Sequence, residues 1–107
     1  MVEIKRGEVW LIALDPTVGS EIEKTRPCAI ISPNVCNRKL KTVIVAPLTK
    51  TIKDYPTRLT IEFQDRQGSI ALDQIRSVDK ARLVKKVGSI RQHYKAIAEI
   101  LSQMFEV

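Results

Sequence analysis

The chain has 107 residues, 18 Lys plus Arg against 12 Asp plus Glu, a formal net charge of +6, and 44% hydrophobic and 28% charged side chains. That length suits one domain with a modest core; it is too short for a doubly wound nucleotide-binding fold or an α/β barrel, and the composition is not that of a disordered chain. No apolar run nears the ~20 residues of a membrane span and Met1–Arg6 has no signal-peptide core, so a cytoplasmic protein with no membrane partner is expected.

Taken in order, Glu8-Val9-Trp10-Leu11-Ile12-Ala13-Leu14 is rich in β-formers and ends at the Asp15-Pro16 turn signal. Thr17 to Thr25 reads as a polar loop. Cys28-Ala29-Ile30-Ile31 is a buried strand closed by Ser32-Pro33-Asn34, and Val35 to Lys41 is a connector with room for one helical turn. Thr42 to Pro47 is a second buried strand with Leu48-Thr49-Lys50 at its exit. A second polar loop runs from Thr51 to Thr57. Arg58-Leu59-Thr60-Ile61-Glu62 alternates as a half-solvated strand should, Gln67-Gly68 reads as a turn, and Ser69 to Ser77 holds one or two short strands. The tail changes period. Tyr94, Ile97, Ala98, Leu101, Met104 and Phe105 line one face of a helix with Ser89 as its candidate cap, and Ile100 falls off that stripe. Five to seven short strands followed by one helix read as a strongly bent sheet or small barrel.

Cys28 and Cys36 are eight residues apart with no C-x-x-C, and His93 is the one histidine. A zinc site needs three or four ligands, and no carboxylate cluster offers a magnesium site, so any chemistry is expected to proceed without metal or cofactor. The lone histidine also leaves no two-histidine acid–base pair. Cys28, inside an apolar run, reads as core.

The net charge points to a polyanion partner. Arg38, Lys39, Lys41, Lys50, Lys53 and Arg58 form one basic group over the connector and second loop. Lys80, Arg82, Lys85, Lys86, Arg91 and Lys95 form another, which reads as a solvated face. With five aromatics (Trp10, Tyr55, Phe63, Tyr94 and Phe105), base stacking cannot be the main source of affinity; Tyr55, beside Pro56, is the one best placed to meet a base.

Five stretches then combine. Arg6-Gly7-Glu8-Val9-Trp10 opens the first strand, the run from Gly19 to Arg26-Pro27 leads into the second, and Pro47-Leu48-Thr49 ends the third. With Leu72-Asp73-Gln74-Ile75-Arg76 and Asp79-Lys80-Ala81-Arg82-Leu83, the set resembles the MazF/PemK (Kid-type) toxins of toxin–antitoxin pairs, from Arg6 to the terminal helix. The resemblance implies a single toxin domain over residues 1–107: a mainly β (α+β), small SH3-like barrel with a C-terminal α-helix, acting as a homodimer. It implies a sequence-specific, metal-independent endoribonuclease that cuts single-stranded RNA to 2′,3′-cyclic phosphate and 5′-hydroxyl ends. It also implies a cognate MazE-like antitoxin, with DNA reached only through the antitoxin complex. The family's catalytic Arg and Thr fall on Arg26 and Thr49, and its RNA-contacting loop positions on Ser20, Glu21, Asp73 and Gln74. Lys50 and Lys53 are expected to hold the RNA backbone.

These side chains suit that chemistry. RNA carries its own nucleophile, the 2′-hydroxyl, so the protein need only align it, stabilise the phosphorane and ease proton movement. The planar fork of Arg26 can clamp phosphate oxygens but is a poor base. Thr49 can donate one hydrogen bond, and Glu21 is the candidate base or orienter of the 2′-hydroxyl. On the residues alone, Arg26 ahead of a buried strand equally fits a solvated or paired edge arginine, and Asp73 and Gln74 a strand-end cap. The family often has a Gly between the loop Glu and the Arg-Pro pair; here the run is Ile22-Glu23-Lys24-Thr25. Two further readings share the barrel: a CcdB-like toxin that inhibits gyrase by protein contact through its C-terminal residues, and a non-catalytic RNA-binding SH3-like module.

Overall fold

The computed structural model describes residues 3–14 and 24–107. The apolar runs become strands β1 (Glu8–Ala13), β2 (Thr25–Ile30) and β3 (Thr42–Thr49), with a short helix α1 (Asn34–Lys39) between the last two. β4 (Arg58–Phe63), β5 (Arg66–Ala71), β6 (Arg76–Asp79) and β7 (Leu83–Ser89) follow, then helix α2 (Tyr94–Met104). Single 3₁₀ turns precede β6, β7 and α2. The strands pair antiparallel in the order β4-β5-β3-β2-β1-β7, with β6 added along β3. The result is the curled, mainly β sheet with a C-terminal helix expected from the sequence.

β3 bends the sheet because it serves several neighbours. Its first half pairs β6, from Thr42↔Asp79 to Val45↔Arg76, while Leu48 and Thr49 pair Ile70 and Ser69 of β5. β2 lies along the opposite edge. The continuous apolar runs of β1 to β3 follow from burial on both faces. Val9, Ala29, Ala46 and Leu48 enter one core cluster, against which α2 packs. Their alternating neighbours Trp10, Ile12, Cys28, Ile30, Val43 and Val45 fill a second. Cys28 is fully buried, as read from its apolar run.

Four local expectations change. The tight turn is Gln64-Asp65, not Gln67-Gly68: Phe63 pairs Arg66, and both loop residues have positive φ, the geometry of a two-residue hairpin turn. Gly68 instead sits inside β5, where a Cβ would lie 2.7 Å from the carbonyl oxygen of Thr49. Ser89 ends β7 and accepts from Arg91 N–H, so its hydroxyl caps the 3₁₀ turn before α2 rather than α2 itself, whose cap residue is His93. On α2, Ile100 packs on the core with Tyr94, Ile97, Leu101 and Met104, whereas Ala98 and Phe105 are exposed. The stripe is therefore rotated by one position, because the spacing of Ile97, Ile100, Leu101 and Met104 also fits one helical face. Finally β7, a Lys-bearing strand with no clean alternation, pairs β1; lysines are how many proteins blunt such strands.

The segment leading into β1 is fastened to the exit of β2 and to the start of α2. Gly7 adopts φ +87, and a Cβ there would meet Arg91 Cγ at 2.6 Å, so only glycine fits the turn into β1. The Arg6 guanidinium stacks on the Tyr94 ring at 4.7 Å, and both side chains donate to the Ile31 carbonyl.

Candidate active site

The β2–β3 register decides where the reactive candidates meet. Cys28 pairs Pro47, and the same register continued toward the start of β2 sets Arg26 opposite Thr49. Opposed residues of an antiparallel pair share a face. Arg26 and Thr49 both line a cleft of about 390 Å³. Its apolar part comes from Pro27, Leu48, Ile61 and Phe63, and Arg26, Lys50, Arg66, Gln64 and Gln67 supply polar groups. A cleft with an apolar lining and convergent cations is suited to a nucleotide and its phosphate.

Thr49 is held by its own turn. Thr51 N–H donates to Thr49 Oγ1 at 3.2 Å, which occupies an acceptor position and leaves the hydroxyl proton to be donated elsewhere. Cys28, next but one to Arg26, is not a nucleophile: burial pushes its thiol up to about 12, although Arg76 and Arg26 pull the other way. Its Sγ–H donates to the Arg26 carbonyl.

Asp73 and Gln74 stand apart from this cleft, on the 3₁₀ turn Leu72–Gln74 that leaves β5. Arg58 grips the Asp73 carboxylate with two bonds, Nε–Oδ1 at 2.6 Å and Nη2–Oδ2 at 3.1 Å, and the Thr57 hydroxyl adds a third. The Arg58 hydrogen bonds hold the Asp73 carboxyl below its ordinary value against the opposing effect of burial, so it stays ionised and fixed in direction. This pair ties the 51–57 loop to the turn, helped by Leu72 N–H donating to the Thr57 carbonyl.

The first basic group does not form one patch. Lys50 lines the cleft, Lys53 is exposed on the 51–57 loop, and Arg58 is committed to Asp73. Arg38 faces a different hollow, with Trp10, Lys80 and Leu83. Sequence proximity misleads here because α1 and the 51–57 loop leave β3 at opposite ends. In the second group Lys86 is paired with Glu8 and Arg82 donates to the Ala13 carbonyl, while Tyr55 is exposed with Arg58 over its ring. Ser20 and Glu21 lie outside the described residues; the chain ends flanking them meet where Leu14 N–H donates to the Lys24 carbonyl. The sequence reading missed the wall made by Phe63, Gln64, Arg66 and Gln67. Its signal was present in the alternation of β4 continuing to Phe63, with two polar residues then marking the hairpin. Among the described residues, no three His, Cys, Asp or Glu side chains come together in a way that could hold a metal ion.

Residues 5–105 match the family described as PemK-like, MazF-like toxin of type II toxin-antitoxin system. The chain belongs to that family. Endoribonuclease EndoA of Bacillus subtilis (strain 168) is 39% identical over 90 residues, 78% of each chain. The fold matches the crystal structure of MazF from Deinococcus radiodurans over 100% of both chains, with a TM-score of 0.86 at 21% identity. It also matches a mycobacterial endoribonuclease solved in complex with its cognate antitoxin, with a TM-score of 0.78 and 24% identity over 94% of this chain and 92% of that one. Arg26 and Thr49, the two residues singled out by the family resemblance, line the same cleft.

Proposed function

We propose that this toxin is a metal-independent endoribonuclease whose cleft binds the scissile phosphate of single-stranded RNA between Arg26 and Thr49. One observation carries the reading: two side chains distant in sequence, one a planar cation and the other a hydroxyl whose oxygen already accepts from Thr51 N–H, line one cleft. The 2′-oxygen attacks phosphorus and loses its proton, the bond to the 5′-oxygen breaks, and that oxygen takes up a proton. The products are a 2′,3′-cyclic phosphate and a 5′-hydroxyl. Arg26 offsets the charge that builds on the non-bridging oxygens, and Thr49 donates to one of them. Glu21 accepts or orients the 2′-hydroxyl proton.

Lys50 and Lys53 carry the RNA backbone, with affinity that falls as salt rises. Asp73 and Gln74 read base edges: a carboxylate held ionised in one direction accepts from an exocyclic amine, and the amide both donates and accepts. Ser20, like Glu21, contacts the RNA in this reading. The whole chain acts as one domain, in a cytoplasmic homodimer silenced by a cognate antitoxin. The relative solved with its antitoxin supports that partner, and among the described residues no helix is long and apolar enough to cross a membrane. RNA cutting arrests translation and growth. The test is cleavage of a long single-stranded RNA in EDTA by wild type beside Arg26→Ala. Removal of one preorganised charge clamp should slow cutting by about 100-fold or more at every site. Equal rates would return Arg26 to an edge arginine.

A further inference from the structure

Thr49 can donate usefully only if its oxygen is held and its proton faces the cleft, and the structure shows what holds it. Thr51 N–H reaches Thr49 Oγ1 because the chain turns sharply after β3. That turn is fixed from β5. Ser69, the partner of Thr49 across the β3–β5 ladder, donates its hydroxyl to the Thr51 carbonyl at 2.9 Å. Gly68 closes the other side, with space for no Cβ against the Thr49 carbonyl oxygen. Ser69 borders the same cleft but is only 1% exposed, and its hydroxyl is committed to the Thr51 carbonyl. The Ser69 hydroxyl thus extends the ladder past the last β3–β5 pair, onto Thr51, whose N–H reaches Thr49 Oγ1.

We infer that Ser69 is a positioning residue for the cleavage reaction: through Thr51 it fixes the Thr49 hydroxyl as a donor toward the scissile phosphate. Without the Ser69 bond the Thr49–Thr51 turn loosens, Thr51 N–H no longer occupies Oγ1, and the hydroxyl rotates among alternatives that do not point into the cleft. The inference rests on the assignment of Thr49 to the phosphate made above. A buried serine that only stabilises the sheet would lower folding stability and leave the rate of the folded enzyme unchanged.

The test is a double-mutant cycle of Ser69→Ala and Thr49→Val, with single-turnover cleavage of single-stranded RNA by excess full-length protein, each variant checked by urea unfolding. Ser69→Ala should lower the saturating rate about tenfold, less than the ~100-fold possible for a displacement of a whole ångström, with half-saturation changed less than twofold. On the Thr49→Val background the same change should have no effect on the rate, because nothing remains to be oriented. Gly68→Ala, which presses on Thr49 from the other side, should show the same dependence on Thr49. A wild-type rate for folded Ser69→Ala, or an undiminished tenfold loss on the Thr49→Val background, would overturn the inference while leaving the ribonuclease reading intact. A wild-type rate for Thr49→Val itself would remove the assignment of Thr49, and this inference with it.

Discussion

Glu8 offers a case in which the value of a buried carboxylate can be divided among its partners. It is 6% exposed and accepts from Lys5 N–H at 2.8 Å and Trp10 Nε1–H at 3.1 Å, while Lys86 Nζ lies 2.9 Å from its other oxygen. Glu8→Ala leaves the Trp10 donor buried without a partner and the Lys5 donor only partly reachable by water. At about 1–3 kcal/mol for an orphaned buried donor, and less for the half-wet one, the loss should be about 2–4 kcal/mol. The Lys86 side chain is 51% exposed, so its ammonium is rehydrated when the partner goes. Lys86→Met keeps the Glu8 oxygen that accepts from both N–H donors and opens its other oxygen to the water around Lys86, so it should cost less than Glu8→Ala. Urea unfolding at neutral pH compares the two directly. Equal losses would refute the argument, since they would place the energy in the ion pair rather than in the two N–H donors. The pH dependence follows from the same contacts. Burial by itself raises the Glu8 carboxyl, but the hydrogen bonds from Lys5, Lys86 and Trp10 together outweigh it and hold it below the ordinary carboxylate value. The contribution is therefore fully present above the unfolded value and disappears as pH falls through the lower folded value, so the gap between wild type and Glu8→Ala should shrink as the solution is acidified below the ordinary carboxylate range.

Three further outcomes are expected. Lys24 adopts φ +70 where the loop rejoins β2, so Lys24→Gly should leave stability level or slightly higher, while Lys24→Val should lie about 1–2 kcal/mol below it in thermal unfolding. Ile97→Ala, at a fully buried position where α2 meets the sheet, should destabilise by about 2–5 kcal/mol in urea unfolding. Asp73→Asn weakens the Arg58 grip and changes what a base edge meets. It should alter the sequence at mapped cut sites, whereas an unchanged cut-site sequence would remove Asp73 from base reading.

Much of this architecture is legible in the chain because two-sided burial writes itself as unbroken apolar runs. That is how β1, β2 and β3 appear before any coordinates, and Cys28 with them. β7 escapes such reading: Leu83-Val84-Lys85-Lys86-Val87 has no period of two, and only its pairing with β1 makes it a strand. Gly68 misleads for a related reason. A glycine beside a polar residue signals a turn, but here its lack of a Cβ serves the close approach of the Thr49 carbonyl, a fact of tertiary contact with no local trace. The site divides along the same line. Arg26 and Thr49 can be named from family resemblance, and their meeting requires the β2–β3 register. The alternation of β4 reaches Phe63 and so marks the hairpin, but that its residues Phe63 to Gln67 wall the cleft, and that Arg58 is committed to Asp73, depends on how the hairpin folds over β3. Lys24 carries a positive φ that a glycine would adopt without strain, and nothing in its local sequence announces it.

The most direct test of the central claim uses the substrate rather than the protein. Once a cut site is mapped in EDTA, the same RNA is made with a 2′-deoxy nucleotide on the 5′ side of the scissile phosphate. If the 2′-oxygen is the nucleophile that Arg26 and Thr49 serve, wild-type protein binds this RNA but does not cut it, and the unmodified RNA ends in a 2′,3′-cyclic phosphate. Cutting of the deoxy substrate at the same bond would mean that water or a side chain attacks instead, and the roles assigned to the cleft would have to be abandoned.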